Sequence, residues 1–190
     1  MELAAIKDRL IIKLIGRKYQ EELLKQVPYF AYMDLAVIFM LNEKEILTHD
    51  QIKELGMSKE QLLQIAIENT EYFFPAVFVT MEEVLSELTG ESFESEKSSM
   101  YVLSNERKYL GAATLLYHNQ LRKIGEKLKR DFFILPSSIH ELIIIPHEGD
   151  TTKEELTKMV QEVNETQLAA EDLLSDHAYF YKRNENLIYP

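Results

Sequence analysis

Cysteine is absent from the 190 residues. That excludes disulfides, thiolate metal sites and cysteine nucleophiles, and it suits a reducing compartment. Long apolar runs are also missing. The longest, Leu35–Leu41, has seven residues, against the roughly 20 that span a bilayer. The opening residues lack a basic flank, an extended apolar stretch and a cleavage site, so the cytoplasm is the expected compartment and no membrane partner is expected. There is no P-loop, no G-x-G-x-x-G and no EF-hand pattern, so no cofactor is expected either. Basic charge is short: 21 Lys and Arg face 32 Asp and Glu, for a net charge of −11. Nucleic-acid affinity rests on neutralising phosphates, and the one dense basic stretch, Leu121–Arg130, is interrupted by Glu126, so no nucleic-acid partner is expected.

What is present is a core. Apolar residues make up 46% of the chain, with ten Tyr and nine Phe, too hydrophobic a composition for a disordered chain. The length fits one domain over residues 1–190. Residues 90–99 are polar and serine-rich and read as a surface loop between sub-lobes 1–89 and 100–190.

Leu10–Ile15 is apolar and β-branched except at Lys13, with Gly16 after it, which predicts a strand. A helix is expected over Lys18–Gln26, ending at Val27-Pro28. Leu35–Leu41 shows no polar alternation, which predicts a central strand covered on both faces, although a buried helix has the same pattern. A turn at Asn42–Lys44 and an edge strand at Ile46–Thr48 follow. Ser58 with Gln61, Thr80 with Glu83 and Thr151 with Glu154 fit the capping-box spacing of a helix start. After the last of these, Leu156, Met159, Val160 and Val163 form one apolar face.

In the C-terminal half, strands are expected at Met100–Leu103 and Ala112–Tyr117, then a helix over His118–Lys129 turning Leu121, Ile124 and Leu128 to the core. Phe132–Leu135 and Ile139–Ile145 read as a hairpin turning at Leu135–Ser138, where Pro136 suits the second turn position. His177–Tyr181 and Leu187–Tyr189 make a last hairpin. The order ββ-α-ββ-α-ββ predicts an α+β fold, a mainly antiparallel sheet with helices packed on it.

Two segments concentrate the chemically useful side chains: Ser137, Ser138, His140 and Glu141 at one turn, and Ser175, Asp176 and His177 at a helix-to-strand junction. As a nucleophilic site, Ser137 or Ser138 would attack, His140 or His177 would be the base, and Asp176 would orient it. No G-x-S-x-G elbow or glycine-rich oxyanion loop accompanies them. As a metal site, the ligands would be His140, Glu141, Asp176 and His177, with His147 nearby in sequence, but no H-x-x-x-H, H-E-x-x-H or H-x-H spacing occurs. The structural alternative is that the serines cap turns and Asp176 satisfies backbone groups. Asp34 interrupts the apolar stretch from Tyr29 to Leu41; it is read as the exposed entrance of the strand, the alternative being a buried, paired carboxylate. Asn105 and Gly111 read as turn residues.

Leu135–Glu141 (LPSSIHE), Met100–Asn105, Gly111–Ala113, Val163–Gln167 and Leu174–His177 (LSDH) together resemble an uncharacterised family. It is one of the numbered domains of unknown function, from anaerobic Gram-positive gut bacteria. Met33–Val37 and Glu68–Thr70 extend the resemblance over nearly the whole chain. The resemblance implies no activity, ligand or catalytic residue. Members carry further sequence ahead of this part, so it also implies a shortened member. The expectation from the residues is a non-enzymatic cytoplasmic binding or regulatory protein with a protein partner, contacted through aromatic residues near the termini. The alternative is a hydrolase or metal-dependent enzyme using Ser137–Glu141 and Ser175–His177.

Overall fold

The computed structural model describes residues 7–93, 99–149 and 151–190. Part of the polar stretch at 90–99 therefore lies outside the described residues. Two antiparallel sheets form, with helices packed on them. In the first, β3 (Leu35–Leu41) lies between β1 (Leu10–Gly16) and β2 (Tyr29–Tyr32), and β4 (Glu45–Ile46) continues the β2 side. All seven residues of β3 are buried. Apolar side chains wait on both of its faces, so the strand needs no polar alternation.

Short local rules set the helices. The N-terminal helix α1 (Glu21–Leu24) is shorter than expected, and α2 (His49–Leu55) begins at Thr48. Thr48 caps α2 instead of extending the edge strand. Ser58 caps α3 (Lys59–Phe73) and Thr80 caps α4 (Met81–Thr89), each through a full capping box with the residue three places on.

The second sheet runs β10-β9-β7-β8-β6-β5, from β5 (Ala76–Thr80), β6 (Tyr101–Asn105), β7 (Phe132–Ser138), β8 (Glu141–Pro146), β9 (Tyr179–Lys182) and β10 (Leu187–Tyr189). The division between sheets thus falls ahead of β5, not at 90–99. One core cluster joins the inner faces of both sheets: Ile12, Val37 and Phe39 meet Leu103, Ile144 and Tyr179. On the outer face of the second sheet, Phe133, Leu135 and Ile145 are covered by Leu156 and Val160 of α6 (Lys153–Gln167).

Three local expectations are corrected. Ala112–Tyr117 is not a strand; Gly111–Leu116 is a 3-10 helix. The segment is buried from Gly111 to Leu115, and a buried segment without a sheet neighbour must satisfy its own backbone. It does so through Ala113 N to Leu110 O and Tyr117 N to Thr114 O, both 3.2 Å. The helix α5 (Gln120–Leu128) follows it as expected. The capping box of α6 uses Thr152 and Glu155, one residue later than expected, and Leu156 and Val160 are the buried residues of that helix. Finally, the β7–β8 hairpin turns at Ile139–His140, not at Pro136. The register shifts between Leu135 and Ser138, and such an irregularity lets a strand carry a proline that has no N–H for the ladder.

Candidate functional site

The turn at Ile139–His140 is plugged into the rest of the molecule by its backbone. Ile139 N donates to Asp172 O (3.0 Å) and Ile139 O accepts from Ala112 N (3.2 Å). His140 O accepts from Ser104 Oγ at 2.7 Å. The imidazole is tied on both sides. Its Nδ1 accepts the Leu110 N–H at 3.1 Å, which places the ring proton on Nε2, 3.5 Å from Asp172 Oδ1. Neither serine of the turn meets a histidine ring. Ser138 Oγ accepts from His140 N at 3.0 Å, and Ser137 Oγ lies 3.4 Å from Glu141 Oε1.

The second segment is built around Asp34, in the turn between β2 and β3. Its two oxygens accept Tyr179 OH at 2.6 Å and Ser175 Oγ at 2.7 Å. Asp34 is therefore half-buried and paired, which corrects its reading as an exposed strand entrance. Tyr179 is fully buried and Ser175 is 1% exposed. Burial, reinforced by the Asp34 carboxylate, pushes the Tyr179 phenol well above its ordinary range. The His177 ring meets Ser175 Oγ at 3.4 Å and Asp176 Oδ1 at 3.2 Å through the same nitrogen, Nδ1. A nucleophilic triad needs the serine and the carboxylate on opposite ring nitrogens. Here the Ser175 hydrogen is aimed at Asp34 instead, and the ring's other nitrogen, Nε2, lies 3.7 Å from Asp34 Oδ1, beyond hydrogen-bond reach.

Asp176 faces outward and pairs with Lys18 Nζ at 2.7 Å. The Lys18 hydrogen bond, then that of His177, holds the Asp176 carboxyl below its ordinary value of 3.8. A carboxyl depressed in the folded state adds stability above its unfolded pKa and loses it as pH falls through the folded one. Asp176→Asn should therefore lower the urea midpoint modestly at pH 7, and the difference from wild type should close on acidification below pH 3.8. Midpoints that differ equally at both ends of that range would remove the ion pair as the cause. Beside this pair runs an open groove of about 490 Å³ lined by Arg17, Lys18, Glu21, Lys25, Tyr29 and Asp34.

Among the described residues, no hydrogen bond or ion pair joins the Ser137–Glu141 turn to the Ser175–His177 segment. Nor does any group of three or more His, Asp or Glu among them stand where it could hold a metal ion. His147 is taken up by ring contacts with Phe133 and Phe180. Sequence reasoning missed Tyr179 and Lys18. Asp34 did carry a signal, a lone carboxylate in an apolar stretch, but nothing local to it named its partners.

A different kind of site lies on the outer face of the second sheet. Between α4 and α6 opens a cleft of about 100 Å³, lined by Met81, Met100, Leu135, Ile143, Met159 and Val163, with Ser137 and Asn164 as its polar members. Ile143 pairs with Val102, and from Val102 a second hollow of about 120 Å³ extends under α4, with Glu83, Glu87, Glu141 and Lys108 on its walls and Lys108 paired to Glu87 at 2.6 Å. Ser137, singled out for chemistry, thus stands on the wall of an apolar cleft.

No helix among the described residues is long and apolar enough to cross a membrane. No curated protein matches the chain, and no solved structure does. A family model spanning residues 1–183 does match, and by it the chain belongs to DUF5688, a family of unknown function.

Proposed function

We propose that this chain is a non-enzymatic binding protein of the bacterial cytoplasm, and that the cleft between α4 and α6 receives an apolar side chain of a protein partner. The observation that carries the reading is the contrast between the two kinds of site. His140, Ser175 and Asp34 spend their hydrogen-bonding capacity on holding the fold together, whereas the cleft offers apolar surface with a polar rim. Met81, Met100 and Met159 line it, and methionine adapts its shape to different side chains. Met159 is 43% exposed. On the walls of the adjoining hollow Glu87 is paired with Lys108 and Glu83 with the Thr80 amide, which leaves Glu141 to meet a Lys or Arg beside the partner's apolar anchor. Nucleic acid is disfavoured: within the basic stretch, Arg122 pairs with Glu126 and Arg130 with Glu148. The absence of cysteine and the resemblance to gut-bacterial sequences support the compartment.

The test is selection of short displayed random peptides against the wild-type protein, counter-screened with Met159→Glu. Enriched peptides are expected to share an apolar residue next to Lys or Arg and to bind the variant at least about tenfold more weakly. In parallel, His140→Ala should cost roughly 1–3 kcal/mol of stability by orphaning the Leu110 amide. Peptides indifferent to Met159→Glu would overturn the cleft. A hydrolytic turnover that a folded Asp176→Asn protein has lost, or a stoichiometric bound metal, would overturn the non-enzymatic reading and restore the enzyme alternative.

A further inference from the structure

The edges of the two sheets are finished differently. At β1, an edge of the first sheet, side chains of α3 occupy the outward backbone groups: Thr70 Oγ accepts from Ile12 N at 2.9 Å, and Asn69 Nδ2 donates to Leu10 O at 2.9 Å. At β5, an edge of the second, the arrangement is open. Bonds from Glu106 N to Pro75 O (3.1 Å) and from Met81 N to Met100 O (3.0 Å) bracket its pairing with β6. Antiparallel ladders alternate, so Val77 and Val79 bond to β6 while Ala76, Phe78 and Thr80 present their backbone outward. The Thr80 N–H is taken by Glu83 at 2.7 Å. No described residue meets the outward amide and carbonyl of Ala76 or Phe78. Lys127 lies 5.0 Å from the Phe78 ring centre and makes no hydrogen bond to the strand among the described residues. The strand reads Ala-Val-Phe-Val-Thr, with no charge and no proline, and each of its five residues is partly exposed. Free edges of that composition are what folded proteins ordinarily avoid.

We propose that β5 is the surface at which a second copy of this chain pairs, antiparallel, about a two-fold axis through Phe78. A two-fold contact needs a patch that complements itself. About Phe78 the strand is nearly its own reverse: Val77 of one copy faces Val79 of the other, Ala76 faces Thr80, and the two Phe78 residues exchange their amide and carbonyl bonds. A five-residue strand is small beside the roughly 800 Å² per copy of a stable interface. The exposed apolar side chains next to it extend the surface. Tyr72 (78% exposed) and Phe73 lead into the strand, and Leu85 and Leu88 (74% exposed) lie on α4, which leaves it. None of these four lines the cleft assigned above to a partner's side chain; Val77 and Val79 do line the adjoining hollow, but the pairing proposed here uses the outward backbone of Ala76, Phe78 and Thr80.

The absence of cysteine makes the test clean, because Phe78→Cys introduces the only thiol. A hydrogen-bonded antiparallel pair sets its Cα atoms about 5.5 Å apart, within disulfide range. Oxidation of Phe78→Cys is expected to give a covalent dimer, and oxidation of Leu187→Cys, on the opposite edge strand, is not. Wild-type protein should sediment as a concentration-dependent dimer. Ala76→Pro removes an outward N–H but no bond to β6, so it should weaken the dimer at least about tenfold while leaving the circular dichroism unchanged. Wild-type protein that stays monomeric at its highest soluble concentration would overturn the proposal. So would equal cross-linking at Leu187→Cys, or a monomer that binds a synthetic Ala-Val-Phe-Val-Thr peptide.

Discussion

Replacing Asp34 with alanine is expected to lower the unfolding free energy by roughly 3–5 kcal/mol. The carboxylate accepts short bonds from two buried hydroxyls, Tyr179 at 2.6 Å and Ser175 at 2.7 Å, and the alternative for Ser175, His177 Nδ1, is a longer 3.4 Å away. Their residues are 0% and 1% exposed, so the hydroxyls themselves do not reach bulk water, and a replacement acceptor has to enter through the groove that Asp34 lines. Each orphaned donor costs about 1–3 kcal/mol, more where the lost acceptor is charged. Asp34 also sits in the β2–β3 turn of the first sheet, whereas Tyr179 opens β9 of the second. The bonds therefore tie the two sheets together, and their loss acts on the whole fold. Asp34→Asn keeps one oxygen and should cost less. Tyr179→Phe removes one of the two donors, so in a double-mutant cycle with Asp34→Ala the losses should fall short of additive by about 1 kcal/mol or more. Equilibrium urea unfolding measures all of these. A loss under about 1 kcal/mol for Asp34→Ala would show that the two hydroxyls find other partners.

What could be read in the sequence follows the range of the interactions involved. Leu35–Leu41 and the caps at Ser58 and Thr80 obey rules that act over a few residues, and the structure places them as expected. Thr151 and Thr152 offer two capping boxes one residue apart. Which is used depends on where the sheet lies, and the local pattern does not hold that information. Ala112–Leu116 has strand-like residues, but an apolar run becomes a strand only where a free edge accepts it, and this one is enclosed. The same limit governs the site. Asp34 drew notice as a lone carboxylate, yet its partners lie 141 and 145 residues away. The base expected for Ser137 or Ser138 is His140 or His177, yet the hydroxyl that the His177 ring meets is that of Ser175, 3.4 Å away. The structure turns the serine's hydrogen to Asp34 instead, a choice made by long-range packing.

Gly111→Ala is expected to cost roughly 3 kcal/mol, at the upper end of what added bulk in a packed interior does. A glycine-to-alanine change in open space can stabilise a protein by restricting its unfolded chain. Gly111 has no such space. A Cβ there would run into Ser104 Oγ and the His140 carbonyl oxygen, and would come within 3.0 Å of Asn105 N. Two of these three are backbone atoms, which cannot rotate aside. The third is held as well, because Ser104 Oγ donates to that same His140 carbonyl at 2.7 Å. Relief therefore requires the Ile139–His140 turn to move off the 3-10 helix. Such a move stretches the bond from Leu110 N to His140 Nδ1, now 3.1 Å, and the one from Ala112 N to Ile139 O, now 3.2 Å. The damage should be visible as well as measurable: the His140 ring resonances should shift and broaden, while those of His177, in the Asp34 cluster, should stay in place. Adding Ser104→Ala removes one clash and leaves the carbonyl, so the double variant should recover only part of the loss. A Gly111→Ala protein as stable as wild type, with unshifted His140 resonances, would mean that the turn is not locked to the 3-10 helix as these contacts require.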